Sequence, residues 1–158
     1  MKKRILAVAV SLLLVVPLYA QSTVSRKALD IHNSAIVIDT HADTPQRFLD
    51  ENYDIGSTDP RDHGHISLDK AKAGNLGAEF FSIWVEPETN QGHFARHTLD
   101  LIDSVYEQAA RHPDRMMMAF SVADIERAHH EHKLAALLGI EGGHSTKTTS
   151  ACCAISTV

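Results

Sequence analysis

Ala35-Ile36-Val37-Ile38-Asp39-Thr40-His41-Ala42-Asp43-Thr44 is the stretch on which the fold turns. Its β-branched run has the composition of a buried parallel strand, and the mouth of that strand carries His41 and Asp43, two residues apart. About a hundred residues later a second apolar run, Leu134 to Ile140, ends in Glu141-Gly142-Gly143-His144. Two strands thus bring an imidazole and two carboxylates to one edge of one sheet. That is the layout of a metal hydrolase site at the C-terminal ends of barrel strands.

Working outward, the remaining elements fit parallel strands joined by helices. Residues 25 to 33 predict a short helix feeding the first strand, and Leu76 to Val85 reads as a second buried strand with Phe80, Phe81 and Trp84 in the core. Between them, residues 44 to 65 are rich in Asp, Pro, Gly and His and predict a long loop at the catalytic end, followed by a brief helix from Leu68 to Ala73 closed by Gly74. Leu99, Ile102, Val105, Tyr106 and Ala109 recur at helical spacing, which predicts an amphipathic helix over Thr98 to Arg111. Met116 to Phe120 is an apolar run leading to Ser121, an N-cap for a helix reaching about His132. Leu134 to Ile140 is the third main strand. No hairpin turn links the main strands, so a (β/α) barrel and a doubly wound sheet are the two architectures to weigh. No glycine-rich phosphate loop follows a strand, which weakens a nucleotide-binding reading.

The N-terminus predicts export. Lys2-Lys3-Arg4 precedes the apolar run Ile5 to Leu18, and Ala20 is a small residue before a cleavage point at Gln21. The apolar run is shorter than the roughly 20 residues a membrane span needs, so residues 1–20 are expected to be a removed signal peptide and the product to be periplasmic, in a bacterium, with no stable membrane span. The whole chain holds 15 Lys+Arg and 20 Asp+Glu; loss of the three basic leader residues leaves 12 against 20, a net charge near −8. That balance argues against nucleic acid or an anionic membrane as a partner.

A His-x-Asp pair places both side chains on one side of extended backbone. Imidazole nitrogen with carboxylate oxygen suits Zn²⁺ at about 2.0–2.2 Å per bond. The competing reading is a surface turn in which Asp43 caps the next helix through Thr44. Glu141 alone is weak, but Gly142-Gly143 beside it lets the backbone approach closely and makes room for a metal or substrate. Together the strand ends suit a site in which Glu141 bridges two ions about 3.5–4 Å apart.

Three segments carry a family resemblance: Ile36 to Pro45, His65-Ile66-Ser67-Leu68-Asp69 through Gly77-Ala78-Glu79-Phe80-Phe81-Ser82, and Gly139-Ile140-Glu141-Gly142-Gly143-His144. In this order and spacing they resemble the membrane dipeptidase family of zinc peptidases, peptidase family M19, over roughly residues 25 to 145. The resemblance implies an α/β fold, the N-terminal part of a (β/α)8 TIM-type barrel, and hydrolysis of dipeptides at a two-zinc site. It implies that His41 and Asp43 bind the first Zn²⁺ and that Glu141, the catalytic carboxylate, bridges both ions around a hydroxide nucleophile. The remaining ligands and the substrate-handling groups lie on later strands in that family, and no residue here inherits those roles. The oligomeric state is open, a homodimer being compatible with the intact family protein.

After Ser145 the composition shifts to Thr-Lys-Thr-Thr-Ser-Ala-Cys-Cys-Ala-Ile-Ser-Thr-Val, without helical period. The expectation is a metallo-dipeptidase portion over 21–145, truncated after about three main strands by a frameshift or premature stop, with 146–158 an aberrant tail. Such a chain is expected to leave an open sheet edge, to aggregate and to turn over little or no dipeptide. Two alternatives are an exported metal-binding protein that uses its 11 histidines without catalysis and a non-functional product. An amidohydrolase-type barrel is weaker, since position 43 is Asp where that class has a second His. His129-His130-Glu131-His132 reads as a solvated helix end, Cys152-Cys153 as an incidental pair, His63 and His65 as loop residues, and His144 stays unassigned.

Overall fold

Four strands, β1 (Val37–Ala42), β2 (Leu76–Trp84), β3 (Met116–Met118) and β4 (Leu134–Glu141), lie in one parallel sheet in the order β1-β2-β4-β3. They belong to a computed structural model that describes residues 24–62 and 64–146. The leader 1–20, His63, and the tail beyond Thr146 with Cys152 and Cys153 lie outside the described residues. Helix α1 (Arg26–Ser34) precedes the sheet, α2 (Thr44–Asp50) and α3 (Leu68–Ala73) connect β1 to β2, α4 (Phe94–Arg111) connects β2 to β3, and α5 (Val122–His130) connects β3 to β4. The three main strands are neighbours in sequence order, and β3 is a short addition on the outer side of β4. Among the described residues no helix is long and apolar enough to cross a membrane.

Local sequence explains the element ends. Ser67 and Ser121 sit in extended backbone and accept hydrogen bonds from Lys70 N and Asp124 N, capping α3 and α5. Gly74 closes α3. The predicted loop after residue 43 instead begins with α2, where Pro45 stands in the first turn, a position that needs no backbone N–H.

The sheet has two faces of different character. On one, Phe81, Ile83, Leu134 and Ala136 pack with Phe48 of α2, Leu68 and Ala71 of α3, and Leu101 and Val105 of α4. Each such large apolar side chain stabilises the fold by roughly 1.5–3 kcal/mol. On the other, Ala78 and Ala135 pack with Ala119 and with Ala128 of α5, small side chains that let α5 close on the strands' N-terminal half. Alternation then directs Ser82, Gly139 and Glu141 to the C-terminal half of that second face, where Ser82 is buried and Glu141 exposed.

Three expectations are corrected by packing. First, β1 is not buried: Ile38 to His41 are exposed, because β1 is a sheet edge and α1 buries none of its residues. Second, the buried face of α4 is Thr98, Leu101, Ser104, Val105, Gln108 and Ala109, while Leu99 and Tyr106 face solvent. Its polar members are satisfied: the Gln108 side chain accepts from Ile55 N at 3.0 Å and donates to Tyr53 O at 3.1 Å. Third, the segment after α2 does not arch over the strand mouths. Ile55 is fully buried, and His112 Nε2 lies 2.6 Å from Asp54 Oδ1, so this segment is fastened to the C-terminal end of α4, beside the strand starts. Of the aromatics on β2, Phe81 is in the core, whereas Phe80 and Trp84 are half-buried on the second face.

Candidate metal centre

The sheet register brings the two distant sequence signals together. β1 and β2 pair Asp39 with Glu79 and then Ala42 with Phe81, a register shift that spends an extra β1 residue around His41. Asp39 Oδ1 accepts a hydrogen bond from His41 N at 3.2 Å within this irregular turn of backbone. Asp43 follows at the N-cap position of α2, yet its side chain makes no capping hydrogen bond. The capping alternative is therefore half right: a helix does start there, but the Asp43 carboxylate turns to His41 instead.

His41 Nε2 lies 3.3 Å from Asp43 Oδ1 and 3.5 Å from Glu141 Oε2. One ligand atom from each of the three residues falls within 4.8 Å of the others. Bonds of about 2.1 Å in a tetrahedron leave ligand atoms roughly 3.4 Å apart, so the observed spacings suit an ion seated among these three atoms. All three side chains are about half exposed, which leaves coordination positions open to water or substrate. Nitrogen with two carboxylate oxygens is a donor set for Zn²⁺ or a similar divalent ion.

Glu141 stands on a braced strand end. Ser145 Oγ donates to Glu141 O at 2.9 Å, the Thr98 hydroxyl donates to Ser145 O at 2.9 Å, and His144 Nε2 is 2.8 Å from Val85 O. The His144 ring also packs edge-on against Phe94 at 5.3 Å. His144 is thus a brace between the ends of β4, β2 and α4 and does not join the ligand group. These contacts also revise the role of Gly142. Its φ of +80° is left-handed, and a Cβ there would come within 2.5 Å of the His144 ring, so the glycine makes room for His144, not for a metal. Gly142→Ala is expected to lower stability by about 1–3 kcal/mol, read as a drop in the urea midpoint; an unchanged midpoint would remove the strained turn from this account.

Among the described residues His41, Asp43 and Glu141 are the one group of three or more residues able to share an ion. His65, His129, His130 and His132 form no such group. Sequence reasoning missed Ser82, whose hydroxyl donates to Glu141 Oε2 at 3.0 Å. It also missed Asp39, although the i, i+2 spacing to His41 was a usable signal.

Comparison with known proteins follows the same line. The membrane dipeptidase family (peptidase family M19) matches residues 25–153 of this chain. Dipeptidase 3 of Homo sapiens is 30% identical over 123 residues, covering 75% of this chain and 24% of that protein. Dipeptidase aclJ of Aspergillus oryzae is 34% identical over 90 residues, covering 52% of this chain and 21% of its own length. The chain thus spans about a quarter of the length of the curated relatives it matches. Among solved structures, a metallopeptidase from Rhodobacter sphaeroides, crystallised with a phosphinate mimic of the dipeptide L-Ala-D-Ala, superposes with a TM-score of 0.58. It is 16% identical, and the match covers 70% of this chain and 39% of that one. At that identity the likeness is one of fold: an N-terminal portion of a TIM-barrel-type α/β architecture.

Proposed function

Because this chain belongs to the membrane dipeptidase family, peptidase family M19, we propose that it carries the first ligands of a zinc-dependent dipeptidase centre. In this reading His41 and Asp43 hold one Zn²⁺ and Glu141 extends between it and a second. The observation that carries the proposal is the convergence of three ligand atoms within 4.8 Å, from strand ends about a hundred residues apart. When bound, the metal supplies an activated water and polarises the scissile carbonyl of a dipeptide.

The chain's own contribution is positional. The register shift in β1 falls around His41, whose Nε2 lies 3.5 Å from Glu141 Oε2, and contacts of Ser145, Thr98 and His144 brace the end of β4 that carries Glu141. Acceptance of a short substrate with free termini belongs to the groups that complete the site beyond these ligands. Export to the periplasm through residues 1–20 accompanies this proposal as a reading of the leader sequence.

The test is calorimetric Zn²⁺ binding by the chain and by His41→Ala. The variant is expected to bind at least about tenfold more weakly, since one first-layer donor is gone. Uptake that survives His41→Ala but falls on replacing His129, His130 and His132 would instead support non-catalytic metal binding by the α5 end.

A further inference from the structure

Among the described residues, Ser82 is the one polar side chain outside the candidate ligand group that hydrogen-bonds one of its ligand atoms. It sits on β2 opposite Gly139 of β4, two residues before Glu141 on the same face. Gly139 has no side chain, and a Cβ built there would meet nothing within 4 Å. The Ser82 hydroxyl crosses diagonally to Glu141, whose Oε2 it reaches at 3.0 Å. Ser82 is itself only 2% exposed, so the hydroxyl is fixed by its surroundings, while the Glu141 side chain is about half exposed.

The Glu141 main chain is already pinned by Ser145. What remains free is the side-chain torsions, and among the described residues Ser82 is the one hydrogen-bond donor to the carboxylate. The oxygen it holds is the same Oε2 that lies 3.5 Å from His41 Nε2. Oε1 is left without a hydrogen bond among the described residues. The hydroxyl therefore makes two chemically equivalent oxygens inequivalent.

We propose that Ser82 is a positioning residue for the metal centre: its hydroxyl holds Glu141 Oε2 beside His41, where it would ligate a first ion, and leaves Oε1 free of hydrogen bonds and available to a second. The inference rests on the metal-centre reading above. It adds a residue outside the ligand set and assigns each Glu141 oxygen a separate task. A hydrogen bond donated to a ligating carboxylate oxygen orients it before the ion arrives, so its loss acts on affinity and coordination geometry more than on folding.

The experiment is a Co²⁺ titration of the whole chain, followed by calorimetry and by the visible absorption band that reports coordination geometry. Ser82→Thr and Ser82→Val have nearly the same shape, one keeping a hydroxyl where the other has a methyl, so the steric cost of the added bulk at this buried position is common to both. Ser82→Val is expected to bind Co²⁺ roughly tenfold or more weakly than Ser82→Thr, with an altered band. A difference between the two in the metal-free thermal midpoint alone, with no difference in Co²⁺ affinity or band, would mark a purely structural role for the hydroxyl and overturn the proposal. Equal affinities and equal bands for the pair, with tight binding retained, overturn the role of Ser82 and leave the metal centre standing. Wild-type chain that takes up no Co²⁺, or takes it up equally after His41→Ala, removes the metal centre and this inference with it.

Discussion

Glu141→Gln is expected to weaken Zn²⁺ binding by more than about 100-fold, beyond the 10–100-fold typical of losing a supporting hydrogen bond, with little change in the metal-free melting temperature. Glutamine keeps the shape of the side chain and can still accept from Ser82 through its carbonyl oxygen. What it loses is the charge, and with it one of the two acceptor oxygens. A carboxylate presents lone pairs on both sides, whereas an amide presents an oxygen on one side and an N–H donor pair on the other. The amide can therefore ligate one ion weakly and cannot extend to a second. In the proposed centre His41→Ala would remove a donor from the first ion alone, so the Glu141 variant should be the more severe of the two. Because the Glu141 side chain is half exposed, its replacement is expected to alter stability by no more than about 0.5 kcal/mol. Zn²⁺ affinity within threefold of wild type, measured by competition with a chromophoric chelator, would take Glu141 out of the ligand set.

The parts of this molecule that were legible in its sequence are those marked by punctuation. Ser67 and Gly74 bracket α3, and Ser121 opens α5, because caps act through their own side chains and backbone and owe little to tertiary context. The convergence of His41, Asp43 and Glu141 was legible for a related reason: parallel strands deliver their last residues to one end, so polar groups after an apolar run fall near one another. Less visible were features set by packing. Thr98, Ser104 and Gln108 lie on the buried side of α4 because each finds a hydrogen-bond partner there, which a count of apolar residues does not register. The seven residues of α2 are too few to show a period, and Pro45 disguised them as loop. The apolar run of β1 predicted burial, but its place at the sheet edge left it exposed. Ser82 was one hydroxyl in a strand of large side chains, and its task depends on the β2 to β4 register, which no local pattern states.

The same register exposes a conflict at Glu79 that has a measurable consequence. Glu79 is fully buried on the face packed by α2, α3 and α4, paired across the sheet with Asp39 on one side and Ala136 on the other, and neither carboxyl oxygen has a hydrogen-bond partner. Burial first, and the Asp39 carboxylate second, push its pKa from 4.5 up to about 8. Below pH 4.5 the group is protonated in both the folded and the unfolded chain, and folding carries no ionisation cost. As pH rises from 4.5 to 8, the unfolded chain releases this proton while the folded chain retains it, so stability falls across that window and levels off above it. The loss is on the order of 5 kcal/mol at most, at about 1.4 kcal/mol per pH unit of separation. Glu79→Gln replaces the acid by a neutral group of the same size that is equally short of partners, so it should match wild type near pH 4.5 and exceed it by up to that amount at pH 8. Every other ionisable group is common to both proteins, so the difference between the two urea-unfolding free energies isolates Glu79. A difference that stays flat from pH 4.5 to 8.5 would mean that Glu79 is charged in the fold and compensated by a cation, which would place a positive group against β1 and β2. A difference that grows with pH would establish that the sheet carries a neutral acid at its centre, one strand away from the aspartate that accepts from the His41 backbone N–H.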